Sequence, residues 1–208
     1  MESKRTTEKK EYKKRYQILQ LSLADEISHG IRVSNLAYYV SKEMKFPQDF
    51  CYEMAIAGML HDIGKLELVK HVYNQKETLI VEEIKYVRAH STAGYAILKE
   101  SDFSETVRQA ILYHHENYDG SGYPSNLKGE EIPIGGRILR VCDVFAALTS
   151  DRPYRKAFDE ETAVRLMIEE IKNFDVQIFL AFLCVVHNET MKDRWRNNKI
   201  QIMEGSNL

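Results

Sequence analysis

The stretch CYEMAIAGMLHDIGK, residues 51–65, places a histidine, an aspartate and a lysine at the end of an almost entirely apolar run. A helix formed by such a run has no polar face to turn toward water, so we expect it to be buried. We predict a helix over 48–63, with Gly64 as the residue that follows its C-terminus. Since this buried helix carries His61, Asp62 and Lys65 at its end, we predict a functional site there.

The rest of the chain predicts an all-α fold. It has 208 residues, of which 44% are hydrophobic, and this is enough for one sizeable core in a single domain. Four prolines and ten glycines leave long windows in which apolar residues recur at spacings of three and four. The loop predicted between these windows is ENYDGSGYPSNLKGEEIP, residues 116–133. The further helices that we predict cover 12–45, 84–100, a segment opening at Ser104, 136–150 and 160–186.

The composition excludes several classes of protein. A net charge of -2 and a pI of about 6.4 disfavour binding to a nucleic acid polymer. No stretch approaches the roughly 18 apolar residues that span a bilayer, so we expect no membrane segment and a cytoplasmic location. The cysteines form no CxxC motif, and we expect Cys51, Cys142 and Cys184 to be buried apolar side chains.

The chain divides into three predicted parts. Residues 1–20 are a basic helical lead-in, residues 21–187 form the main domain, and residues 188–208 are a tail that we expect to fray.

Most of the histidines fall on helix faces that are predicted to be buried. The chain has seven histidines. Those on buried faces are His29, His61, His90, His114 and His115. A lone histidine on such a face is more often a hydrogen-bonded core residue than a metal ligand. Burying five of them together with Asp62 and Asp143 is costly unless a metal centre pairs with them all. His71 and His187 are not accompanied by other histidines or carboxylates on a predicted buried face, so we assign them no functional role.

The first predicted helix carries a stripe that places an acidic residue beside one of these histidines. Asp25, His29, Val33 and Leu36 share one face at about 100° per residue. We therefore expect Asp25 and His29 to point into the core, with Glu26 toward the edge of the stripe.

The ligand types indicate the metal. Imidazole together with carboxylate suits iron, manganese or zinc, and the absence of cysteine argues against a structural zinc site. Because His61 and Asp62 are adjacent, the carboxylate is placed to bridge two metals while the histidine binds one.

The motifs resemble the HD-GYP phosphodiesterases, a bacterial signalling branch of the HD hydrolase superfamily. The resemblance rests on HDIGK at 61–65, HHENYDGSGYP at 114–124 and RVCDVFAALTSDRPYR at 140–155. It also includes SHGIRV at 28–33 and RAHSTAGYAIL at 88–98. The resemblance implies a helical bundle with two or three divalent metals in its core, most often iron or manganese. The implied reaction is hydrolysis of cyclic di-GMP to pGpG or GMP by a metal-bridged hydroxide.

Residue roles follow from matching this chain to the family motifs. The implied metal ligands are His29, His61, Asp62, His90, His114, His115 and Asp143, with Asp62 as the bridge. Asp25 is a candidate ligand for a third metal, where the family commonly has glutamate. Lys65 is expected to contact the attacked phosphate or the bridging water, so Lys65 and Asp62 are the expected catalytic residues. The expected substrate-binding residues are Gly122, Tyr123, Arg152 and Arg155.

Alternatives to this interpretation stay open. One is an HD-type hydrolase of another cyclic or linear nucleotide, and another is a non-catalytic signalling or interaction module. A structural alternative for DRPYR places its arginines on the carbonyls of a helix C-terminus. The expected partners are a cyclic dinucleotide substrate and either a second copy of the chain or a sensor or GGDEF-type protein.

Overall fold

The computed structural model describes residues 24–66, 83–151 and 155–196. Helix α1 covers 24–43 of the described residues, and the part of its predicted range before residue 24 lies outside them. The other helices are α2 (Gln48–Leu60), α3 (Glu83–Lys99), α4 (Glu105–Tyr113), α5 (Ile134–Leu148), α6 (Glu160–Glu169), α7 (Val176–His187) and α8 (Glu189–Arg196). Two short 3₁₀ helices, Gly129–Glu131 and Ile171–Asn173, lie in the connections. The all-α prediction is confirmed, since the described residues contain no β-strand.

None of the helices in the described part of the chain combines the length and the apolar character needed to cross a membrane.

Side-chain caps set three of the helix starts. The Ser104 side chain accepts a hydrogen bond from the backbone N–H of Val107, as the predicted start of α4 requires. Asp159 accepts from the N–H of Thr162 and begins α6, while Asp175 accepts from the first turn of α7.

The prediction of one helix over 160–186 is wrong. The chain leaves α6 at Glu169, passes through a 3₁₀ turn and adopts an extended conformation at Phe174 before Asp175 starts α7. The apolar spacing continues across this break because Phe174 is itself buried, so periodicity alone does not reveal it.

The apolar core contains residues from all eight helices, and its aromatic part lies where α5, α7 and α8 meet. Phe145 packs edge-on against both Phe182 and Trp195, with ring centroids 4.9 and 5.6 Å apart. Trp195 is completely buried, so the part of the predicted tail that the structure describes is helical and contributes to the core. Cys51 and Cys142 are buried as predicted, whereas Cys184 is exposed and that prediction is wrong.

Helices α1 and α2 approach each other closely at a glycine. A Cβ atom added at Gly58 would lie 2.8 Å from the backbone of Ser34. Any larger residue would push the two helices apart. This contact brings His29 on α1 beside the end of α2, where His61 lies.

A second glycine joins the end of α2 to α3. A Cβ atom at Gly64 would lie 1.9 Å from the carbonyl oxygen of His90. The helix ends at Leu60 and Gly64 follows four residues later, so the predicted role of Gly64 as the terminating residue is wrong. Its role is to let the HDIGK turn rest against the backbone of α3.

Candidate metal centre

Five helices and the segments that follow them supply the predicted ligands. His29 lies on α1, His90 on α3 and Asp143 on α5, while His61 and Asp62 follow α2 directly and His114 and His115 follow α4. The four histidines at positions 29, 61, 90 and 114 are at most 4% exposed. The structure therefore brings together all seven residues that the motifs implied as ligands.

One group of ligand atoms forms between α1, α2 and α5, and we call it the first group. The Nε2 atom of His29 lies 2.9 Å from Oδ1 of Asp143. The Nε2 atom of His61 lies 3.6 Å from the same oxygen. Two imidazoles and a carboxylate thus converge on one point and form a potential metal site.

The second group consists of His90, His114 and His115. Nε2 of His90 lies 3.2 Å from Nε2 of His114 and 3.1 Å from Nε2 of His115. Three imidazole nitrogens that point toward one another are a suitable ligand set for a divalent cation.

Asp62 lies between the two groups. Its Oδ2 is 3.2 Å from Nε2 of His61, and its Oδ1 is 3.3 Å from Nε2 of His90. Each carboxylate oxygen therefore faces a different group, which is the arrangement of a bridging carboxylate.

Backbone carbonyls fix the orientation of two histidines. Nδ1 of His61 donates to the carbonyl of Gly58 at 2.7 Å, and Nδ1 of His114 donates to the carbonyl of Ile111 at 2.6 Å. Since a carbonyl only accepts, the Nδ1 atoms carry the protons and the Nε2 atoms are directed at the centre. Nε2 of His61 is buried without a hydrogen-bond partner among the described residues. This donor set fits a metal ion.

The electrostatics of the centre favour added positive charge. Burial raises the pKa of Asp62 and Asp143, but the histidines beside them, with Lys65 beside Asp62, outweigh burial and hold both pKa values well below the usual range. Burial lowers the pKa of His61, yet Asp62 and Asp143 outweigh it and raise that pKa, so they favour a cation at this nitrogen. Burial lowers the pKa of His114 well below its usual value and that of His115 to about 3. Neutral imidazoles of this kind are the form that binds metal.

Lys65 lies beside the bridging carboxylate and is held by a residue that the sequence did not identify. Its Nζ is 2.6 Å from Oδ2 of Asp62 and donates to both oxygens of Glu26, at 3.1 and 3.3 Å. Burial lowers the pKa of Lys65, but the two carboxylates outweigh burial and raise it, so Lys65 is an ammonium ion. The available signal was the spacing, because Glu26 precedes His29 by three residues and so lies near the same helix face.

Asp25 does not point into the core, and that prediction is wrong. The residue is exposed on α1, whereas Glu26 is partly buried and turned toward Lys65. Asp25 is also absent from the ligand groups that the described residues form. The acidic side chain that reaches the centre from α1 is therefore Glu26.

Tyr123 lies at the rim of the second group. Its ring stacks on His115 with centroids 4.8 Å apart, and the Arg88 guanidinium carbon lies 5.4 Å from the ring centroid. Burial raises the pKa of Tyr123 to about 12, so the phenol is neutral. Because the ring already packs against His115, the predicted stacking of a base on it would need that packing to change.

Two of the predicted substrate contacts, Gly122 and Arg155, have structural roles in the absence of substrate, and their contact with a substrate stays a prediction. Gly122 is buried, and a Cβ atom there would lie 2.2 Å from the backbone nitrogen of Asn117. The Arg155 guanidinium donates to the carbonyls of Ala147, Leu148 and Lys156 and packs over the Phe158 ring. It therefore stabilises the C-terminus of α5, which is the structural alternative considered for DRPYR. Arg152 lies outside the described residues.

The remaining histidines do not join the centre. His187 is exposed at the end of α7, and His71 lies outside the described residues.

Comparison with known proteins identifies the family of this chain and the relatives that it resembles. The family model described as HD domain matches residues 13–178. A cyclic di-GMP phosphodiesterase of Pseudomonas aeruginosa is 36% identical over 172 residues, which are 81% of this chain and 42% of that protein. One of Thermotoga maritima is 37% identical over 159 residues, which are 74% of this chain and 43% of that protein. This chain thus spans less than half the length of either relative.

A solved structure shows the same fold. It is that of V-cGAP3, a cyclic GMP-AMP specific phosphodiesterase of Vibrio cholerae, with a TM-score of 0.66 at 20% identity. The alignment covers 89% of this chain and 52% of that one.

Proposed function

The chain belongs to the HD domain family, and from that premise we propose that it hydrolyses a phosphodiester bond of cyclic di-GMP in a metal-dependent reaction. The resemblance to the HD-GYP phosphodiesterases is confirmed by the family match and by the curated relatives. The activity and its substrate are proposals, because the chain covers 42% and 43% of those two relatives.

The position of Asp62 carries the proposal. Its two oxygens face two separate groups of imidazole nitrogens at 3.2 and 3.3 Å. A structural metal site needs one closed set of ligands, whereas two sets that share a carboxylate are typical of hydrolytic centres.

The residues of the chain divide the work of hydrolysis. The first and second groups would hold two divalent ions, which we propose to be iron or manganese, with Asp62 between them. Bound metal ions would supply an activated water and neutralise negative charge on the phosphoryl oxygens. Lys65 adds a positive charge beside Asp62, within reach of a phosphate that lies on the centre. Burial of the ligands fixes their positions before the substrate arrives.

The choice of cyclic di-GMP rests on the names of the relatives. The proteins of P. aeruginosa and T. maritima are both named cyclic di-GMP phosphodiesterases. The alternative within the same class is 3′3′-cGAMP, because a relative from Vibrio cholerae is named a 3′3′-cGAMP-specific phosphodiesterase.

A substrate panel tests the proposal. The protein is loaded with iron or manganese under anaerobic conditions and incubated with equal concentrations of cyclic di-GMP, 3′3′-cGAMP and linear pGpG. Products are resolved by chromatography, and the chelator-treated protein is the control. We expect hydrolysis of cyclic di-GMP by the metal-loaded protein only, with pGpG or GMP as the product.

The other outcomes are distinct. Faster hydrolysis of 3′3′-cGAMP would move the substrate to the hybrid dinucleotide. Metal binding without turnover of any of the three compounds would favour a signalling or interaction module. The predicted association with a second copy or with a sensor or GGDEF-type protein stays a prediction.

A further inference from the structure

Arg140 is a cation near the candidate metal centre that forms no ion pair with a carboxylate among the described residues. It lies on α5, three residues before Asp143, and its Nε donates to Oδ1 of Asn117 at 2.9 Å. Among the described residues no carboxylate lies within ion-pair distance of its guanidinium. The contrast on the same helix is Arg137, which pairs with Asp175 at 2.7 Å.

The surroundings of Arg140 make an unpaired charge costly. Burial lowers the pKa of Arg140, and the Asp143 carboxylate, itself a proposed metal ligand, opposes this effect only in part. A cation in such a position is stabilised by an anion that arrives with its own negative charge. Arg137, on the same helix, has its charge balanced by an acidic residue of the protein and therefore needs no ligand for this purpose.

Arg140 is close to the second group of ligands. Its Nε bonds to Asn117, which lies two residues after His115. Burial raises the pKa of Tyr123 and the positive charge of Arg140 opposes this effect, so Arg140 lies near the stack that Tyr123 forms with His115. Lys65 lies on another part of the rim, beside Asp62 and Glu26.

The loop after α4 holds Arg140 in a fixed orientation. Asn117, which accepts from Nε of Arg140, donates through its amide nitrogen to Oγ of Ser121 at 2.9 Å. Asp119 accepts from both the backbone N–H and the hydroxyl of Ser121, at 2.9 and 2.6 Å. With Nε fixed in this way, the two terminal nitrogens are the part of the fork that is able to meet a ligand.

We propose that Arg140 binds the second phosphodiester of a cyclic dinucleotide, the one that is not hydrolysed while the first lies on the metal centre. The proposal rests on the proposed function, since it takes a substrate with two phosphates. A planar guanidinium with two terminal nitrogens suits two phosphate oxygens. Lys65, which lies beside Asp62, is assigned to the reacting phosphate by the proposed function, and the Arg155 guanidinium is engaged by backbone carbonyls.

Two substrates separate this role from others. Cyclic di-GMP has two phosphodiesters, whereas bis(p-nitrophenyl) phosphate has one. For Arg140→Met we expect KM for cyclic di-GMP to rise roughly 10- to 100-fold, because a charged hydrogen-bonded contact is lost. The kcat/KM for bis(p-nitrophenyl) phosphate should stay within about twofold of wild type. Metal content and Tm should be unchanged.

Two further variants control the experiment. Arg165→Met removes an exposed arginine from α6, a helix that contributes no ligand, and should leave both substrates unaffected. Arg140→Lys keeps the charge but loses the planar fork, so its KM for cyclic di-GMP should lie between wild type and Arg140→Met. This variant also provides the test if Arg140→Met does not fold.

The results that overturn the proposal differ from those that overturn the proposed function. An equal loss on both substrates, or an unchanged KM for cyclic di-GMP in Arg140→Met, contradicts the role of Arg140. A wild-type protein that hydrolyses bis(p-nitrophenyl) phosphate but neither binds nor hydrolyses cyclic di-GMP contradicts the proposed substrate instead.

Discussion

The predicted metal ligands and the predicted substrate-binding residues of this molecule differ in how closely their positions match the roles that their motifs imply. All seven implied ligands converge within the centre. Among the predicted substrate-binding residues, Arg155 holds a helix end, Gly122 packs against backbone, and Tyr123 stacks on His115.

The difference has a physical origin. A ligand must direct one atom at one point, and a histidine at the end of a buried helix has little choice of direction. A long cationic side chain reaches many partners, so tertiary contacts decide whether an arginine binds substrate or caps a helix. Motif residues with short, buried side chains are therefore the safer ones to assign.

Removing the bridging carboxylate should have the largest effect. We expect Asp62→Ala to lose at least about 1,000-fold in kcat/KM and most of its bound metal, because both groups lose their shared ligand. Metal content by elemental analysis and hydrolysis of cyclic di-GMP check this. Asp49→Ala, an exposed aspartate at the start of α2, is the matched control and should behave as wild type. Retention of both metals by Asp62→Ala would contradict its bridging position.

Substituting one ligand at a time should separate the metal affinities of the two groups. We expect His29→Ala to weaken metal binding in the first group only and His90→Ala in the second only, each by more than the roughly 10- to 100-fold that is typical when a hydrogen-bond partner of a ligand is lost. Titration of the chelator-treated protein with Mn²⁺ should then show one site weakened and the other near its wild-type affinity. Loss of all metal binding in either variant would show that the groups form one indivisible site.

Substitution of Glu26 tests whether a residue outside the motifs contributes to hydrolysis by holding Lys65. We expect Glu26→Gln to lower kcat for cyclic di-GMP about tenfold with little change in metal content, because Lys65 loses one of its two carboxylate partners. Glu43→Gln, an exposed glutamate on the same helix, is the control. Loss of metal in Glu26→Gln would instead assign Glu26 to the ligand set.

Arg155 should affect stability more than activity. We expect Arg155→Met to lower the free energy of unfolding by about 1–3 kcal/mol, since carbonyls at the end of α5 lose a charged donor. Urea denaturation of the metal-loaded protein measures the change, with Arg165→Met as the reference. The expected change in KM for cyclic di-GMP is less than about threefold. A large rise in KM at unchanged stability would restore the substrate role that the motif implied.

Much of the fold could be predicted from the sequence. The apolar spacing identified the helices, and Ser104 marked the start of α4 by its capping side chain. The break between α6 and α7 could not be seen, because the burial of Phe174 preserves the apolar pattern while Asp175 starts a new helix. The burial of Trp195 also depends on a distant partner, Phe145 on α5.

The limits at the candidate centre are similar. The ligands could be predicted because residue type and helical face are local properties. The sequence did not show that Glu26, and not Asp25, reaches the centre. The difference depends on a small rotation of α1 that places the Glu26 carboxylate at Lys65 and leaves that of Asp25 in water. The role proposed for Arg140 depends on the loop that positions Asn117 beside it.

Gly64 carries information that a search for ligands would overlook. Its contact with the carbonyl of His90, where a Cβ would lie at 1.9 Å, sets the distance between the segment that bears Asp62 and the helix that bears His90. A homologue with alanine at this position would keep every ligand and be counted as an active enzyme by its motifs. Its backbone would nevertheless hold the two halves of the centre too far apart, so it would be a pseudoenzyme with an intact list of catalytic residues.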